Sequence, residues 1–386
     1  MPQPPHRVWC GASALELRRQ VSRGELSRAS ESPNLTRKVA VSSLRSSPRS
    51  PAPHPAGRRP AGRALAAVAC ATLAATALAG CAAAASPATH PPATSTAADA
   101  VLDNCGFPVD TSLPAPERVI TIKSTSTEML LALGLGDRII GTAFQDGPVP
   151  EQWRAEAGGI PSISDQVPSE EAVLSRQPDL VYAGWESNFS ADGAGTRQEL
   201  ASFGVRSYVS PSACKEPAYQ PKQLGFDDVF DEIEQVAAIF HVDATALVDR
   251  QRAELATVQP LAGEHTALWY SSGSSIPYVG AGIGAPQLMM QTIGLTNIAA
   301  GIRDTWASYS WEAVVAANPD VIVLVDASWN TAQHKIEVLE SNPATAKLDA
   351  VQQHRYLIVP FAASEAGVRT VAATADLAGQ LAKLGL

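Results

Sequence analysis

The chain has 386 residues, 45% of them hydrophobic, with 29 Lys and Arg against 38 Asp and Glu and a formal net charge of −9. The basic residues crowd toward the start: residues 1–80 hold 12 of them against 3 acids, leaving 17 against 35, a net of −18, in residues 81–386. So acidic a surface excludes nucleic acid or anionic lipid as a broad partner, and the roughly 280 residues that follow the leading segments are too many for one compact core.

In chain order, residues 1–56 are rich in Ser, Pro and Arg without a sustained apolar period and read as a disordered leader. Arg58, Arg59 and Arg63 then precede an uncharged Ala/Leu run, Ala64 to Gly80, which closes on Leu78-Ala79-Gly80-Cys81. The run is short and weakly apolar for a bilayer span. With its basic flank and small residues before a cysteine it resembles a bacterial lipoprotein signal. Residues 1–80 are therefore expected to be leader plus signal, with Cys81 the lipidated residue and everything after it outside the cytoplasmic membrane. Residues 81–104, Ala-rich and then Pro- and Thr-rich, read as a flexible tether. Beyond it only Cys105 and Cys214 remain, an even pair that in an exported chain reads as a disulfide, with two buried thiols as the alternative. No Cys/His spacing suits a metal.

From Cys105 onward short strands alternate with helical stretches. Strands are expected at Val119–Lys123, Ile139–Ala143, Leu180–Ala183 and Arg206–Val209, with helices at Thr127–Leu135, Glu170–Gln177 and Ala194–Phe203. Phe226, Val229, Phe230, Ile233, Val236, Ala237 and Phe240 keep the i, i+3, i+4, i+7 pattern of one buried helix face, broken at His241-Val242. Asp243 reads as a cap for a second helix, Ala244–Val258, long enough to bridge two lobes as a stiff strut. The alternation then resumes: strands at Ala267–Tyr270, Val321–Val325 and Tyr356–Val359, helices at Pro286–Ile293, Trp311–Ala317 and Glu365–Leu384. Ser169-Glu170-Glu171-Ala172-Val173, four residues, then Pro178-Asp179-Leu180-Val181 recurs as Ser310-Trp311-Glu312-Ala313-Val314, four residues, then Pro319-Asp320-Val321-Ile322. Such a pattern predicts an α/β fold of two Rossmann-like lobes with parallel sheets, 105–225 and 261–386, joined by a helical connector, 226–260.

Three stretches carry a family likeness: Arg118-Val119-Ile120 leading to Ser126-Thr127-Glu128-Met129-Leu130-Leu131-Ala132-Leu133-Gly134, and the two halves of the repeat. Together they resemble the iron-siderophore/vitamin B12 class of substrate-binding proteins of ABC importers. More narrowly, Ile122 to Glu128, Ala183 to Ser190, Leu268 to Ser274 and Tyr278 to Gly284 are similar to an actinobacterial branch assigned to a coenzyme F420 precursor, F420-0. The resemblance implies the class III periplasmic-binding-protein fold, with a single rigid interlobe helix and a small hinge motion. It also implies a monomer without catalysis or cofactor, serving an ABC permease dimer with its ATPase. Glu171 and Glu312, one per lobe, would dock on the permease.

The ligand is expected between the lobes, at the carboxyl ends of the strands. Those ends supply Lys123, Ser124, Thr125, Ser126, Trp185, Asn188 and Phe189 from one lobe. Tyr270, Ser271, Ser272, Tyr278, Trp306, Trp329, Asn330 and Phe361 come from the other. Aromatic faces mixed with hydroxyl and amide groups suit a polar, ring-containing metabolite or a metal chelate: F420-0, a ferric siderophore or a corrinoid. A phosphorylated ligand would need at least two of Lys123, Lys215, Arg303 and Arg369 in the cleft. The competing reading, a chelatase-like surface enzyme on the same scaffold, needs a metal or acid/base cluster that the sequence does not offer.

Overall fold

The computed structural model describes residues 100–386. The leader, the signal, Cys81 and most of the tether lie outside the described residues. The first element is a hairpin, β1 (Val101–Asn104) and β2 (Phe107–Asp110), which the sequence did not announce. Arg197 fastens it to the sheet behind. Its guanidinium donates to the carbonyl and Oδ1 of Asn104 at 2.6 and 2.9 Å and to Ser207, and Asn104 in turn donates to the Val209 carbonyl. Cys105 follows in a left-handed turn and is bonded to Cys214.

Next comes a five-stranded, all-parallel sheet with its crossover helices: β3 (Val119–Ile122), α1 (Ser124–Ala132), β4 (Ile139–Ala143), α2 (Arg154–Ala157), β5 (Ser162–Ser164), α3 (Glu170–Leu174), β6 (Leu180–Ala183), α4 (Arg197–Ser202) and β7 (Arg206–Val209). The strand order is β5-β4-β3-β6-β7, so the chain reverses direction between β3 and β6. Where neighbouring strands send their connections to opposite sides, a crevice opens at their carboxyl ends. Gly184, just past β6, permits the turn there: a Cβ on it would stand 2.4 Å from Thr125 Oγ1 and 2.9 Å from Lys123 Cβ.

The connector is two helices, α5 (Phe226–Phe240) and α6 (Thr245–Leu255). Asp243 Oδ1 accepts from the Thr245 amide at 2.9 Å, and His241 takes the left-handed conformation that ends α5. The expected strut, Ala244–Val258, is shorter than read. The helix that reaches both cores is α5. Its Val229 packs in one core, while Phe230, Ile233, Val236 and Phe240 pack in the other. Glu232 is buried on its inner face and accepts from the Tyr182 hydroxyl at 2.8 Å.

The second sheet is mixed. Its elements are β8 (His265–Ser272), β9 (Tyr278–Gly280), α7 (Ala285–Thr292), β10 (Leu295–Asn297), β11 (Trp306–Ser308), α8 (Trp311–Ala317), β12 (Val321–Asp326), α9 (Ala332–Ser341), α10 (Asp349–Gln352), β13 (Tyr356–Pro360) and α11 (Thr370–Ala382). Strands β8, β12 and β13 run parallel, whereas β9 and β11 form an antiparallel flap on β8. An all-parallel second sheet was expected; three-residue strands carry too few positions to show an alternation. The closing helix also starts later than read, at Thr370 rather than Glu365. Before it, Thr370 Oγ1 accepts from the Gly367 amide at 3.0 Å, and residues 364–369 form a turn that packs against the first lobe.

That turn ties the two halves together. Arg369 Nη1 reaches Glu128 Oε1 of α1 at 3.2 Å, and Gln251 of α6 donates to the Val368 carbonyl at 2.9 Å. Val368 and Val371 belong to the core around α1 and α5.

Candidate functional site

Facing carboxyl ends of the two sheets enclose a cavity of about 480 Å³, within the range that holds a small organic ligand. From the first lobe it is lined by Trp185 and Ser187 after β6 and by residues 212–215 after β7. From the second come Ser271 and Ser272 at the end of β8, Tyr278 and Trp306 of the flap, Trp329 after β12, and the Phe361–Ala366 segment after β13. Thus Trp185, Ser271, Ser272, Tyr278, Trp306, Trp329 and Phe361, seven of the expected ligand contacts, line one cavity.

The aromatic rings form a box around Phe361. Trp306 stacks on it, with centroids 6.5 Å apart and planes 14° apart, and Tyr278 stacks on Trp306 at 6.4 Å and 15°. Trp185 and Trp329 stand edge-on to Phe361, at 72° and 68°. Offset-stacked and edge-to-face contacts are the favoured aromatic arrangements and hold the ring faces in fixed directions.

Other expected contacts lie elsewhere. Lys123 is buried beneath the box: its Nζ pairs with Asp146 and sits 3.8 Å from the Trp185 ring centroid and 4.3 Å from that of Phe144. Its backbone is in a left-handed region, φ 82°, an uncommon conformation for a lysine and one that turns the chain from β3 into α1. Asp146 also binds the start of α1, accepting from the Ser124 amide at 3.1 Å while its own amide donates to Ser124 Oγ at 2.8 Å. Ser126 donates to the Ile122 carbonyl at 2.8 Å, and Thr125 packs under Gly184 and Gly367. None of Lys123, Ser124, Thr125 and Ser126 lines the cavity; they support its floor.

Asn188 is buried, and its Oδ1 accepts from the Trp185 amide at 3.3 Å, which makes it a support for that ring. Phe189 packs against the Cys105–Cys214 pair. Tyr270 is buried edge-on against Trp311, its hydroxyl donating to the Gly273 carbonyl at 2.8 Å. Asn330 closes the turn that carries Trp329: Ala327 and Asn330 exchange backbone hydrogen bonds, and Lys335 Nζ donates to the Asn330 carbonyl at 2.6 Å and to its Oδ1 at 3.0 Å. Lys335 is fully buried, and that burial lowers its pKa to about 8. Trp329 itself is 60% exposed at the rim. Lys335→Met is expected to leave two acceptors unpaired and cost about 1–3 kcal/mol. Trp329 would lose its fixed pose, seen as lower steady-state anisotropy in a variant keeping Trp329 as sole rim tryptophan; unchanged anisotropy would assign the loop's rigidity elsewhere.

Glu365 was read only as the start of the closing helix. It lines the cavity instead, and Trp185 Nε1 donates to its Oε2 at 3.2 Å across the lobes. Burial raises its pKa to about 7, against the opposing pull of Lys123. No pattern in the sequence marked it, because its role depends on the turn at Gly367.

Glu171 and Glu312 are exposed in the first turns of α3 and α8. The two helices begin alike: Ser169 Oγ accepts from the Ala172 amide at 3.2 Å and Ser310 Oγ from the Ala313 amide at 3.1 Å. Both acids therefore occupy the second helical position, where the helix dipole favours negative charge. Among the described residues, no cluster of three or more His, Cys, Asp or Glu could hold a metal, and no helix is long and apolar enough to cross a membrane.

Comparison with known proteins gives a consistent picture. A family model for periplasmic binding proteins matches residues 119–363. An uncharacterized ABC transporter substrate-binding lipoprotein, YvrC, of Bacillus subtilis is 26% identical over 272 residues, covering 68% of this chain and 79% of that protein. A vitamin B12-binding protein of Vibrio parahaemolyticus is 27% identical over 235 residues, covering 58% and 79%. Among solved structures, a periplasmic binding protein from Veillonella parvula superposes with a TM-score of 0.64 at 27% identity, covering 73% of this chain and 96% of its own. An ABC-type Fe3+-hydroxamate transport protein from Saccharomonospora viridis shares the fold, with a TM-score of 0.62 at 23% identity over 74% and 98%. These relatives are solute-binding proteins rather than enzymes.

Proposed function

The chain belongs to the periplasmic binding protein family, and from that premise we propose that it is the lipid-anchored, extracytoplasmic solute receptor of an ABC importer. Its cargo would be a polar, ring-bearing metabolite or metal chelate. The observation that carries this reading is the aromatic box at the carboxyl ends of both sheets, where open α/β sheets bind ligands. Cys81 would hold the receptor at the outer face of the membrane, as a monomer. Glu171 and Glu312, at matching positions of α3 and α8, would pair with basic residues of a dimeric permease driven by its ATPase. Such charge pairs set register and association rate more than affinity.

Charge in the cleft speaks against a phosphorylated F420-0 or a ferric catecholate. Lys123 and Arg369 are committed to Asp146 and Glu128, Arg303 is exposed away from the cavity, and Lys215 alone of the four lines it. A corrinoid would favour the aromatic walls. Native mass spectrometry of the protein purified from its own host should show a retained small molecule. Glu171→Ala with Glu312→Ala should abolish stimulation of the permease ATPase in liposomes while leaving cargo binding intact. Full stimulation by the double variant would refute the docking role, and an empty protein that stimulates nothing would refute the receptor.

A further inference from the structure

A second, smaller cavity lies against the connector helix, and we propose that it is a site for an organic cation: an ammonium group on a short apolar stem, held by the Glu232 carboxylate. Its volume is about 190 Å³, below the usual range for a whole organic ligand and ample for such a group. Glu232, in the middle of α5, lines it and is only 2% exposed. Tyr182 donates to its Oε1 at 2.8 Å. Among the described residues Oε2 takes no hydrogen bond and is not sealed from solvent, and the cavity is the open space beside it. The Ser210 hydroxyl lies close by, buried and unbonded. A buried carboxylate with no cation beside it is costly, and a cationic group supplied from outside removes that cost.

Nothing on the cavity wall supplies that cation. The lining holds a second acid, Asp228, one helical turn before Glu232, and no Lys, Arg or His. Asp228 Oδ2 accepts from the Gly225 amide at 2.7 Å at the start of α5. Pro211, Pro221, Leu224 and Val229 make most of the remaining wall apolar. Two acids set in an apolar lining match an amine on a short alkyl stem and reject a carboxylate or phosphate. The other titratable groups facing Glu232 are Tyr182 of β6 and Tyr208 of β7, whose hydroxyls burial raises well above their ordinary range, so both stay neutral. Ser212, Gln220 and Ala366 line both this cavity and the larger one. The ammonium can therefore belong to a free amine or to an arm of the cargo that extends past this shared wall.

The test uses three probes of similar size, butylammonium, butanol and butyrate, with saturation-transfer NMR at fixed ionic strength on the full chain and on Glu232→Gln and Asp228→Asn. Butylammonium should bind at least about tenfold more tightly than either of the others. Glu232→Gln, which keeps an acceptor for Tyr182, should erase that preference, and Asp228→Asn should weaken it. Burial raises the Glu232 carboxyl to about 7, against the pull of the Ser210 and Tyr182 hydroxyls. Butylammonium should therefore bind up to about tenfold more tightly at pH 8 than at pH 6, and Glu232→Gln should make the profile flat. Equal binding of butanol or butyrate would overturn the proposal, as would a preference unchanged in Glu232→Gln. Host-purified protein with its cargo separates the two sources: lost butylammonium binding assigns the ammonium to the cargo, and retained binding assigns it to a free amine. If butylammonium does not bind the emptied protein while host-purified protein carries a cargo, the cation site falls and the receptor reading stands.

Discussion

Replacing Cys105 and Cys214 together by alanine is expected to lower the unfolding free energy by about 2–5 kcal/mol. The bridge joins residues 109 apart in sequence, and closing a loop of that size restricts the unfolded chain by an amount equivalent to roughly 4–5 kcal/mol in the chain-entropy picture. Structure adds a second effect. Cys214 lies in the cavity wall with Ser212, Ala213 and Lys215, and the bridge holds this wall to a hairpin that Arg197 pins to β7. Reductant should therefore shift the urea midpoint of the native protein to that of the double variant. A midpoint indifferent to reductant would show that the bridge adds nothing to stability.

Stability should fall as pH rises from about 5 to 7. Glu128, Glu232 and Glu365 each have a pKa raised from 4.5 to about 7, and in each burial is the main cause. Arg369 opposes the shift at Glu128, and the Tyr182 hydrogen bond opposes it at Glu232. Between 4.5 and 7 the native state binds more protons than the unfolded chain. The stabilisation is thus complete below about 4.5 and is lost as pH climbs through 7. Each group contributes a slope of up to about 1.4 kcal/mol per pH unit. Asp110, Glu199, Asp243 and Asp320 are shifted downward and act in the opposite sense, but only below their ordinary values, outside this window. Urea melts at pH 5, 6 and 7 measure the slope, and Glu232→Gln should flatten it by about a third. A stability that rose from pH 5 to 7 would contradict the burial argument.

Local patterns that the chain repeats were the legible part. Ile139–Ala143, Leu180–Ala183 and Arg206–Val209 are strands where the β-branched and apolar runs place them, and α8 spans Trp311–Ala317 as its cap and following Pro suggest. Three rings of the cavity were legible too, because Trp185, Trp329 and Phe361 closely follow buried strands, whereas Tyr278 and Trp306 lie within the flap strands. Lys123 was not: its partner Asp146 is 23 residues away, past a helix and a strand, and periodicity carries no trace of such a pairing. Glu365 escaped for a related reason. The run Glu365 to Val371 reads as helix, yet the chain turns there, with the Gly367 amide donating to Thr370 Oγ1 and the turn lying against Thr125. Antiparallel β9 and β11 were lost to brevity alone.

Val368 and Val371 finish the core that begins at Val109. The first lobe to leave a ribosome or an export channel therefore stays unfinished until nearly the whole chain has followed it. An exported chain built this way keeps a loosely closed amino-terminal half through translocation, and the last nineteen residues, 368–386, act as a completion signal. A truncation near the carboxyl end would then be felt first in the lobe farthest from it in sequence.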